Sequence, residues 1–133
     1  MQQEEKFPFM KRMAAACVPL RLRLELTRRC NLRCIHCKVH CEPQPESELT
    51  TRQIGSLLDQ ARALGTMEIS ITGGEVFARP DIADVLHTIL ERDFLLHIQT
   101  NAVAMSLEHI ALLARHVKRL LRVSVSIYAA DPA

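Results

Sequence analysis

The chain has 133 residues, of which 48% are hydrophobic and 24% are charged, and this is typical of one soluble globular domain with its own core. The net charge of +2 indicates no particular partner, so we expect no nucleic-acid binding. We also expect no membrane contact, because no apolar run approaches the ~18 residues of a membrane-spanning helix. The N-terminal stretch lacks the apolar region and cleavage site of a signal peptide. We therefore predict a cytoplasmic protein, in which thiols stay reduced.

Strands and helices are predicted to alternate from the first strand onward. Leucines alternate with polar residues in "RLRLELT" (21–27), which is the period of a strand with one apolar face. Thr50, with Gln53 three residues later, has the pattern of a capping box and begins a helix that Gly65 is placed to end. A second strand, "MEISIT" (67–72), runs directly into two glycines and a glutamate.

The second half of the chain repeats this alternation. Asp81 opens a second helix, "FLLHIQT" (94–100) is a third strand, Ser106 caps a third helix, and "RVSVSIY" (122–128) is a fourth strand. The apolar residues at helical spacing in these two helices are Ile82, Val85, Leu86, Ile89 and Leu90, then Ile110, Leu113, Val117 and Leu120.

The resulting order (βα)₃β predicts an α/β fold: a parallel sheet with right-handed crossovers and helices on its outer face. Every unusual short motif follows a strand, and loops at the carboxyl ends of parallel strands meet at one rim. The cysteine loop, "TGGE", "QTNA" and "SIYAAD" should therefore surround one pocket. The fourth strand would be left as an open edge, so we expect a fragment or a domain completed by assembly.

The stretch "CNLRCIHCKVHC" (30–41) concentrates the chemistry of the chain. Cys30, Cys34 and Cys37 form C-x3-C-x2-C, and three thiolates on a tight loop can bind three irons of a cubane cluster and leave the fourth iron open. Cys41 offers an alternative, a closed zinc site of four cysteines, although such sites usually comprise two separated pairs. A disulfide framework is disfavoured by the odd number of cysteines, five, and by the expected compartment.

These motifs resemble the radical S-adenosylmethionine (AdoMet) enzymes, whose cysteine triplet follows the first strand of a partial (βα)₆ barrel. "LELTRRCN" and "CIHC" are similar to members that carry a SPASM-type auxiliary domain. "ITGGE", "IQTNA" and "VSVSIYAADP" are similar to the motifs after the second, third and fourth strands. The resemblance covers about residues 20 to 133 and implies an incomplete, TIM-type core domain over 21–133 behind an N-terminal extension over 1–20.

The resemblance also implies roles for particular residues. Cys30, Cys34 and Cys37 would hold a [4Fe–4S] cluster. The residues implied to bind AdoMet are Gly73, Gly74 and Glu75 at the methionyl amine, His36 through backbone contacts to adenine, Asn101 in the third motif, and Ser126 near the ribose or carboxylate. Lys38 stands where relatives often have an aromatic residue, and Ala102 stands where the third motif has glycine.

The implied activity is reductive cleavage of AdoMet to methionine and a 5′-deoxyadenosyl radical, which abstracts hydrogen from a substrate. An electron donor such as flavodoxin or ferredoxin is implied as a partner. The SPASM-like features favour a peptide substrate, in ribosomal-peptide or quinone-cofactor maturation, but haem-related and sulfatase-maturing chemistry fit equally well. A non-catalytic zinc- or iron–sulfur-binding module remains the alternative. The roles of Arg23, Glu25 and Gln99 stay open, and His97 is interpreted as a satisfied core histidine.

Overall fold

A computed structural model of the chain describes residues 8–38 and 47–127. Four strands form one sheet: β1 (Arg21–Glu25), β2 (Glu68–Thr72), β3 (Leu95–Thr100) and β4 (Leu120–Val125). The strands lie in the order β1-β2-β3-β4, and all three neighbouring pairs are parallel. This arrangement confirms the predicted parallel α/β fold.

In the described parts of the chain, four helices accompany the sheet: α1 (Pro8–Ala15), α2 (Thr51–Ala63), α3 (Ile82–Leu90) and α4 (Leu107–Arg115), together with a 3-10 turn over Val76–Ala78. The predicted capping box at α2 is confirmed, because the Thr50 hydroxyl accepts from the Gln53 N–H and the Gln53 side chain accepts from the Thr50 N–H. Ser106 caps α4 in the same way with His109. Asp81 precedes α3 but makes no side-chain cap, since its carboxylate bonds elsewhere.

Apart from shifts of one to three residues at the strand ends, of which the largest move β4 from the predicted 122–128 to Leu120–Val125, two details differ from the sequence-based expectations. Helix α4 ends at Arg115, and Leu120, predicted as the last apolar residue of that helix, is the first residue of β4. The helix α1 was not foreseen; none of its residues is buried, so the core imposes no apolar pattern on it. It lies in the predicted extension over 1–20, and the boundary at residue 21 stays a prediction.

One face of the sheet carries the core. Side chains of β2 and β3 pack there against those of α2 and α3, and the fully buried members of this core include Ile54, Leu58, Ile69, Ile71, Val85, Leu86, Ile89, Leu96 and Ile98. The opposite face is polar, with Arg23, Ser70 and His97 in register across three strands. Because side chains alternate along a strand, one face of the sheet packs against the helices, and the other presents polar side chains that extend toward the pocket.

Within the described parts of the chain, no helix combines the length and apolar character needed to cross a bilayer.

Candidate active site

A cavity of about 350 Å³ lies at the carboxyl ends of the strands. It brings together loops that follow β1, β2, β3 and β4, as the parallel topology requires. The predicted site residues that line it are Cys30, Cys34, His36, Cys37, Gly73, Gly74, Asn101 and Ser126. Glu75 is the one predicted site residue that does not line the cavity.

The described chain from Thr27 to Lys38, here called the cysteine segment, forms one wall. Cys30 and Cys34 are half-buried and Cys37 is exposed. The Cys37 N–H donates to the Cys34 carbonyl over 3.1 Å, and the Leu32 N–H donates to Cys30 Sγ over 3.4 Å. This wall is therefore a short irregular turn that leaves its thiols accessible from the cavity.

The three thiols share the cavity without converging on a single point. Among the residues that the structure describes, no group of three His, Cys, Asp or Glu side chains is arranged to hold one metal ion. The ligands of a four-iron cluster bind different irons and need not converge on one atom. Cys41 and His40, the remaining members of the motif, lie outside the described residues.

The two glycines after β2 are required by close backbone contacts within the protein. The Gly74 N–H donates to the Thr27 carbonyl over 2.9 Å, and the Glu75 N–H donates to the Arg29 carbonyl over 2.7 Å. A Cβ at Gly73 would lie 2.4 Å from the Thr27 oxygen, and one at Gly74 would lie 2.3 Å from the Arg29 oxygen. The absence of a side chain thus allows the turn after β2 to dock against the base of the cysteine segment.

Glu75 is fully buried behind the cavity wall. Its Oε1 accepts from the Phe77 N–H over 3.0 Å and from the Thr100 hydroxyl over 2.6 Å, and its Oε2 accepts from the Asn101 N–H over 2.6 Å. Burial of a carboxylate is tolerated only with such partners. Glu75 therefore joins the loop after β2 to the end of β3, and its predicted contact with AdoMet stays a prediction.

The loop after β3 presents Asn101 between the two walls. Its Nδ2 donates to Asn31 Oδ1 over 2.9 Å, and its Oδ1 accepts from the Val103 N–H over 2.9 Å. Ala102 has a φ of +63°, a left-handed conformation that glycine adopts without cost. The departure from the family glycine therefore falls on a position where a side chain strains the backbone.

Five lining residues were not among the predicted site residues: Leu32, Lys38, Thr72, Gln99 and Thr100, of which Lys38 was noted only as a departure from the motif and Gln99 only as a residue of open role. Gln99 is the most informative, because its Oε1 accepts from Arg23 Nη2 over 3.3 Å and links the cavity to the polar face of the sheet. The alternation of "LLHIQT" places Gln99 on the face opposite the core, but only the register shows that it reaches the cavity.

His97 lies one row further from the cavity on the same polar face. Its Nε2 is 2.9 Å from the Ser124 hydroxyl and its Nδ1 is 3.5 Å from that of Ser70. Partial burial, followed by the charge of Arg122, lowers the pKa of His97. Both ring nitrogens are thus satisfied, as expected, although the ring lies on the polar face and not in the apolar core.

Comparison with known proteins gives the same assignment as the cavity. The sequence profile described as the Radical SAM superfamily matches residues 24–133. A PqqA peptide cyclase from Streptomyces rochei is 35% identical over 116 residues, which are 86% of this chain and 31% of that protein. The antilisterial bacteriocin subtilosin biosynthesis protein AlbA from Bacillus subtilis is 29% identical over 104 residues, 78% of this chain and 23% of AlbA.

Solved structures show the same fold. SuiB from Streptococcus suis, bound to S-adenosylmethionine, superimposes with a TM-score of 0.73 at 24% identity, over 91% of this chain and 27% of SuiB. SuiB bound to the precursor peptide SuiA gives a TM-score of 0.67 over 79% of this chain. The chain thus spans about a third or less of the length of these relatives.

The profile match covers most of the chain, from the last two residues of β1 through β2, β3 and β4. The similarity to SuiB confirms that the four-stranded unit is part of a TIM-type core. Members of the matching superfamily use a [4Fe–4S] cluster and S-adenosylmethionine. On these grounds the chain belongs to the radical SAM superfamily.

Proposed function

We propose that this chain is the cluster- and AdoMet-binding part of a radical SAM enzyme. One observation carries the proposal: Cys30, Cys34 and Cys37 share a single cavity with the loops that follow β2, β3 and β4. These loops are distant in sequence and meet only because the sheet is parallel. The profile match supports the family but not the role of each residue.

The residues present fit the two cofactors. Thiolates are the ligands that hold iron–sulfur clusters, and three of them leave one iron for AdoMet. The cavity of about 350 Å³ falls within the range of small-molecule sites. The alternative is the zinc site of four cysteines, whose fourth ligand, Cys41, lies outside the described residues.

The cluster and AdoMet, when bound, supply the one-electron chemistry that cleaves the sulfonium and leads to hydrogen abstraction. The protein's own part is to bind AdoMet and to orient it. We propose that Gly73 and Gly74 offer backbone groups to the methionyl end of AdoMet, and that Asn101 and Ser126 offer polar side chains from the neighbouring strands. His36 contributes the backbone next to adenine.

Glu75 acts from behind the wall in this proposal. Its buried carboxylate is bonded to Thr100 and to the Asn101 backbone, both of which line the cavity. A negative charge at that depth favours an ammonium group in the adjoining space, since the low local dielectric strengthens the attraction. Glu75 would thus serve the AdoMet amine while bracing the loop that contacts it.

We propose a peptide as substrate. The support comes from two similar proteins: a PqqA peptide cyclase, and SuiB, whose structure was solved with the precursor peptide SuiA. An electron donor such as flavodoxin or ferredoxin is part of the proposal, as is a cytoplasmic location, where the three thiols would stay reduced.

The test is to reconstitute the full chain with iron and sulfide under anaerobic conditions and to record its electron paramagnetic resonance spectrum with and without AdoMet. We expect a [4Fe–4S] signal that changes when AdoMet is added. Cys37→Ser should lose most of the iron, whereas Cys17→Ser, a matched change at an exposed cysteine outside the cavity, should retain it.

A cluster whose electron paramagnetic resonance spectrum does not change when AdoMet is added would contradict the proposed AdoMet pocket. If no cluster forms and zinc binds stoichiometrically, in a way that depends on Cys30, Cys34 and Cys37, the proposed enzyme is wrong. The chain would then be a zinc-binding module.

A further inference from the structure

Arg79 is a charged side chain whose surroundings the proposed function does not use. Only 4% of it is exposed, and an arginine is almost never so buried without a full set of acceptors. Its Nη1 donates to the Leu26 carbonyl over 2.7 Å, and its Nη2 donates to the Leu49 carbonyl. The same guanidinium donates to both carboxylate oxygens of Asp81, over 2.6 and 3.0 Å.

The two carbonyls flank the part of the chain that carries the cysteines. Leu26 directly precedes the cysteine segment and Leu49 directly precedes the cap of α2, so Cys30, Cys34 and Cys37 all lie between them in sequence. One guanidinium therefore holds both ends of this stretch. The planar fork of arginine makes such a double contact possible at fixed geometry.

Asp81 fixes the guanidinium in turn. Its Oδ2 also accepts from the Thr51 hydroxyl over 2.7 Å, which connects the network to the first turn of α2. Arg79 and Asp81 lie on the short connection between the 3-10 turn and α3. The ends of the cysteine-bearing stretch are thus anchored to the body of the domain by an ion pair that is itself held in place.

A second set of contacts joins the same ends. Glu48 Oε1 accepts from the Thr27 hydroxyl, and Glu48 Oε2 lies 3.4 Å from Arg29 Nε. Thr27 Oγ1 also accepts from the Arg29 N–H over 3.0 Å. Two independent sets of polar contacts therefore close the stretch at its base.

We propose that Arg79 is a positioning residue for the cluster ligands: by holding the Leu26 and Leu49 carbonyls it sets where Cys30, Cys34 and Cys37 stand around the cavity. The proposal rests on the proposed function for the identity of the bound group. It adds that ligand placement depends on a buried arginine and its ion pair with Asp81, both outside the cavity lining.

Arg92 provides a matched control. It also joins two elements, donating to Asp59 Oδ1 of α2 over 2.7 Å and to the Thr88 carbonyl of α3 over 2.9 Å. None of these partners lies in the cysteine segment, directly flanks the stretch that carries the cysteines, as Leu26 and Leu49 do, or lines the cavity. Loss of Arg92 should loosen the helix pair without moving the thiols.

The first measurement is hydrogen–deuterium exchange of the full chain without metal, comparing Arg79→Lys with Arg92→Lys. Lysine keeps the charge but lacks the fork. Arg79→Lys should raise amide exchange in residues 26–38 and 47–50 by about tenfold, because each charge-assisted bond is worth about that factor in an opening equilibrium. Arg92→Lys should raise exchange only in α2 and α3.

The second measurement is the rate at which a chelator removes iron from the reconstituted chain. We expect release about tenfold faster from Arg79→Lys and unchanged from Arg92→Lys, with a broadened resonance signal only in the former. Glu48→Gln, which removes a charge but keeps an acceptor for the Thr27 hydroxyl, should accelerate release by a smaller factor. This variant tests the base of the cysteine segment even if the Arg79 variant misfolds.

Equal exchange and equal iron release in Arg79→Lys and Arg92→Lys would overturn the positioning role and leave Arg79 with a general effect on stability. If the wild-type chain takes up no cluster, the proposed function fails. The exchange measurement still decides whether Arg79 holds the cysteine segment in that case.

Discussion

The two walls of the cavity are built differently. On one side the loops after β2 and β3 are joined by Glu75, whose buried carboxylate accepts three hydrogen bonds. On the other side the cysteine segment is secured at its base, by Arg79 and Glu48, but its far part is exposed, and the side chain of Ile35 is fully in solvent. We call the first side the braced wall and keep the name cysteine segment for the second.

This difference fits the ligand that we propose for each wall. Hydrogen-bonding groups for AdoMet can be fixed in advance by buried polar contacts within the protein, which reduces the cost of binding. A metal cluster supplies several strong bonds of its own, and metal ligands commonly become ordered with the metal. The protein therefore needs to fix only the base of the cysteine segment. The following predictions test that division.

Gly74→Ala should have the largest effect, because it separates the two walls. The new Cβ would lie 2.3 Å from the Arg29 carbonyl oxygen, which is backbone and cannot rotate away. We expect a loss of about 3 kcal/mol in the free energy of unfolding, as for severe overpacking, measured by urea denaturation. Gly55→Ala in α2 is the control, since its Cβ would lie 3.2 Å from the flexible end of the Arg92 side chain and at an ordinary 3.6 Å from Thr88 Cγ2, and it should be neutral or stabilising. Equal losses would contradict the docking role of Gly74.

Glu75→Gln should loosen the braced wall alone. The amide keeps one acceptor but places a donor against either the Asn101 N–H or the Phe77 N–H and Thr100 hydroxyl, so at least one buried bond is lost. We expect a loss of about 2 kcal/mol, and faster amide exchange at Asn101. Glu108→Gln on the exposed surface of α4 is the matched control and should change stability little. An unchanged unfolding midpoint for Glu75→Gln would show that the carboxylate charge is not needed there.

Acidic pH should weaken the ion pair between Arg79 and Asp81 at the base of the cysteine segment. The hydrogen bond from Arg79 lowers the pKa of Asp81 to about 2, from an ordinary value of 3.8. The carboxylate therefore contributes stability that is complete above about pH 4 and is lost as the pH falls through 2. Since solvent reaches more than a third of the Asp81 side chain, we expect a contribution of only about 1 kcal/mol.

Urea denaturation of the metal-free chain at pH values between 5 and 2 measures this effect. Asp81→Asn should be less stable than the wild type at pH 5 and should lose less stability on acidification. Parallel pH profiles for the two proteins would show that Asp81 does not contribute through its charge.

Ala102→Gly should make the braced wall slightly more stable. The φ of +63° at Ala102 strains any residue with a Cβ, and glycine removes that strain. We expect a gain of about 0.5 kcal/mol after the extra freedom of glycine in the unfolded chain is included, measured by thermal unfolding. Ala111→Gly within α4 is the control and should lose about 1 kcal/mol, because glycine is a poor helix former. A loss at position 102 would mean that the side chain packs usefully.

The sequence predicted the elements best where the signal is local. The capping boxes at Thr50 and Ser106 and the alternation in "LLHIQT" depend on residues a few positions apart. The predicted end of α4 was wrong, because Leu120 continues the helical spacing of apolar residues. In the structure a turn at residues 116–119 separates Leu120 from the helix, and Leu120 pairs with β3. Pairing with a neighbouring strand overrides a local apolar period, since it satisfies the backbone groups of the whole strand.

The cavity was predicted as a set of loops but not as a set of contacts. Strand order and parallel pairing suffice to bring Cys30, Gly74, Asn101 and Ser126 to one rim. The reason for the glycines was only partly foreseen: a close backbone approach was expected, but toward a ligand, whereas Gly73 and Gly74 approach the chain at Thr27 and Arg29. Such an approach has no signature in the spacing of the motif.

By itself, then, the sequence determined the alternating elements, the parallel sheet, the rim on which the motifs meet and the superfamily. Only the tertiary structure decided that Glu75 is buried between two loops, that Gln99 reaches the cavity, and that Arg79 holds both Leu26 and Leu49. The physical reason is the range of the interactions. Periodicity and helix caps depend on residues within one or two turns of the chain. A buried charge instead bonds to backbone groups that are distant in sequence and that the packed sheet leaves without a hydrogen-bond partner.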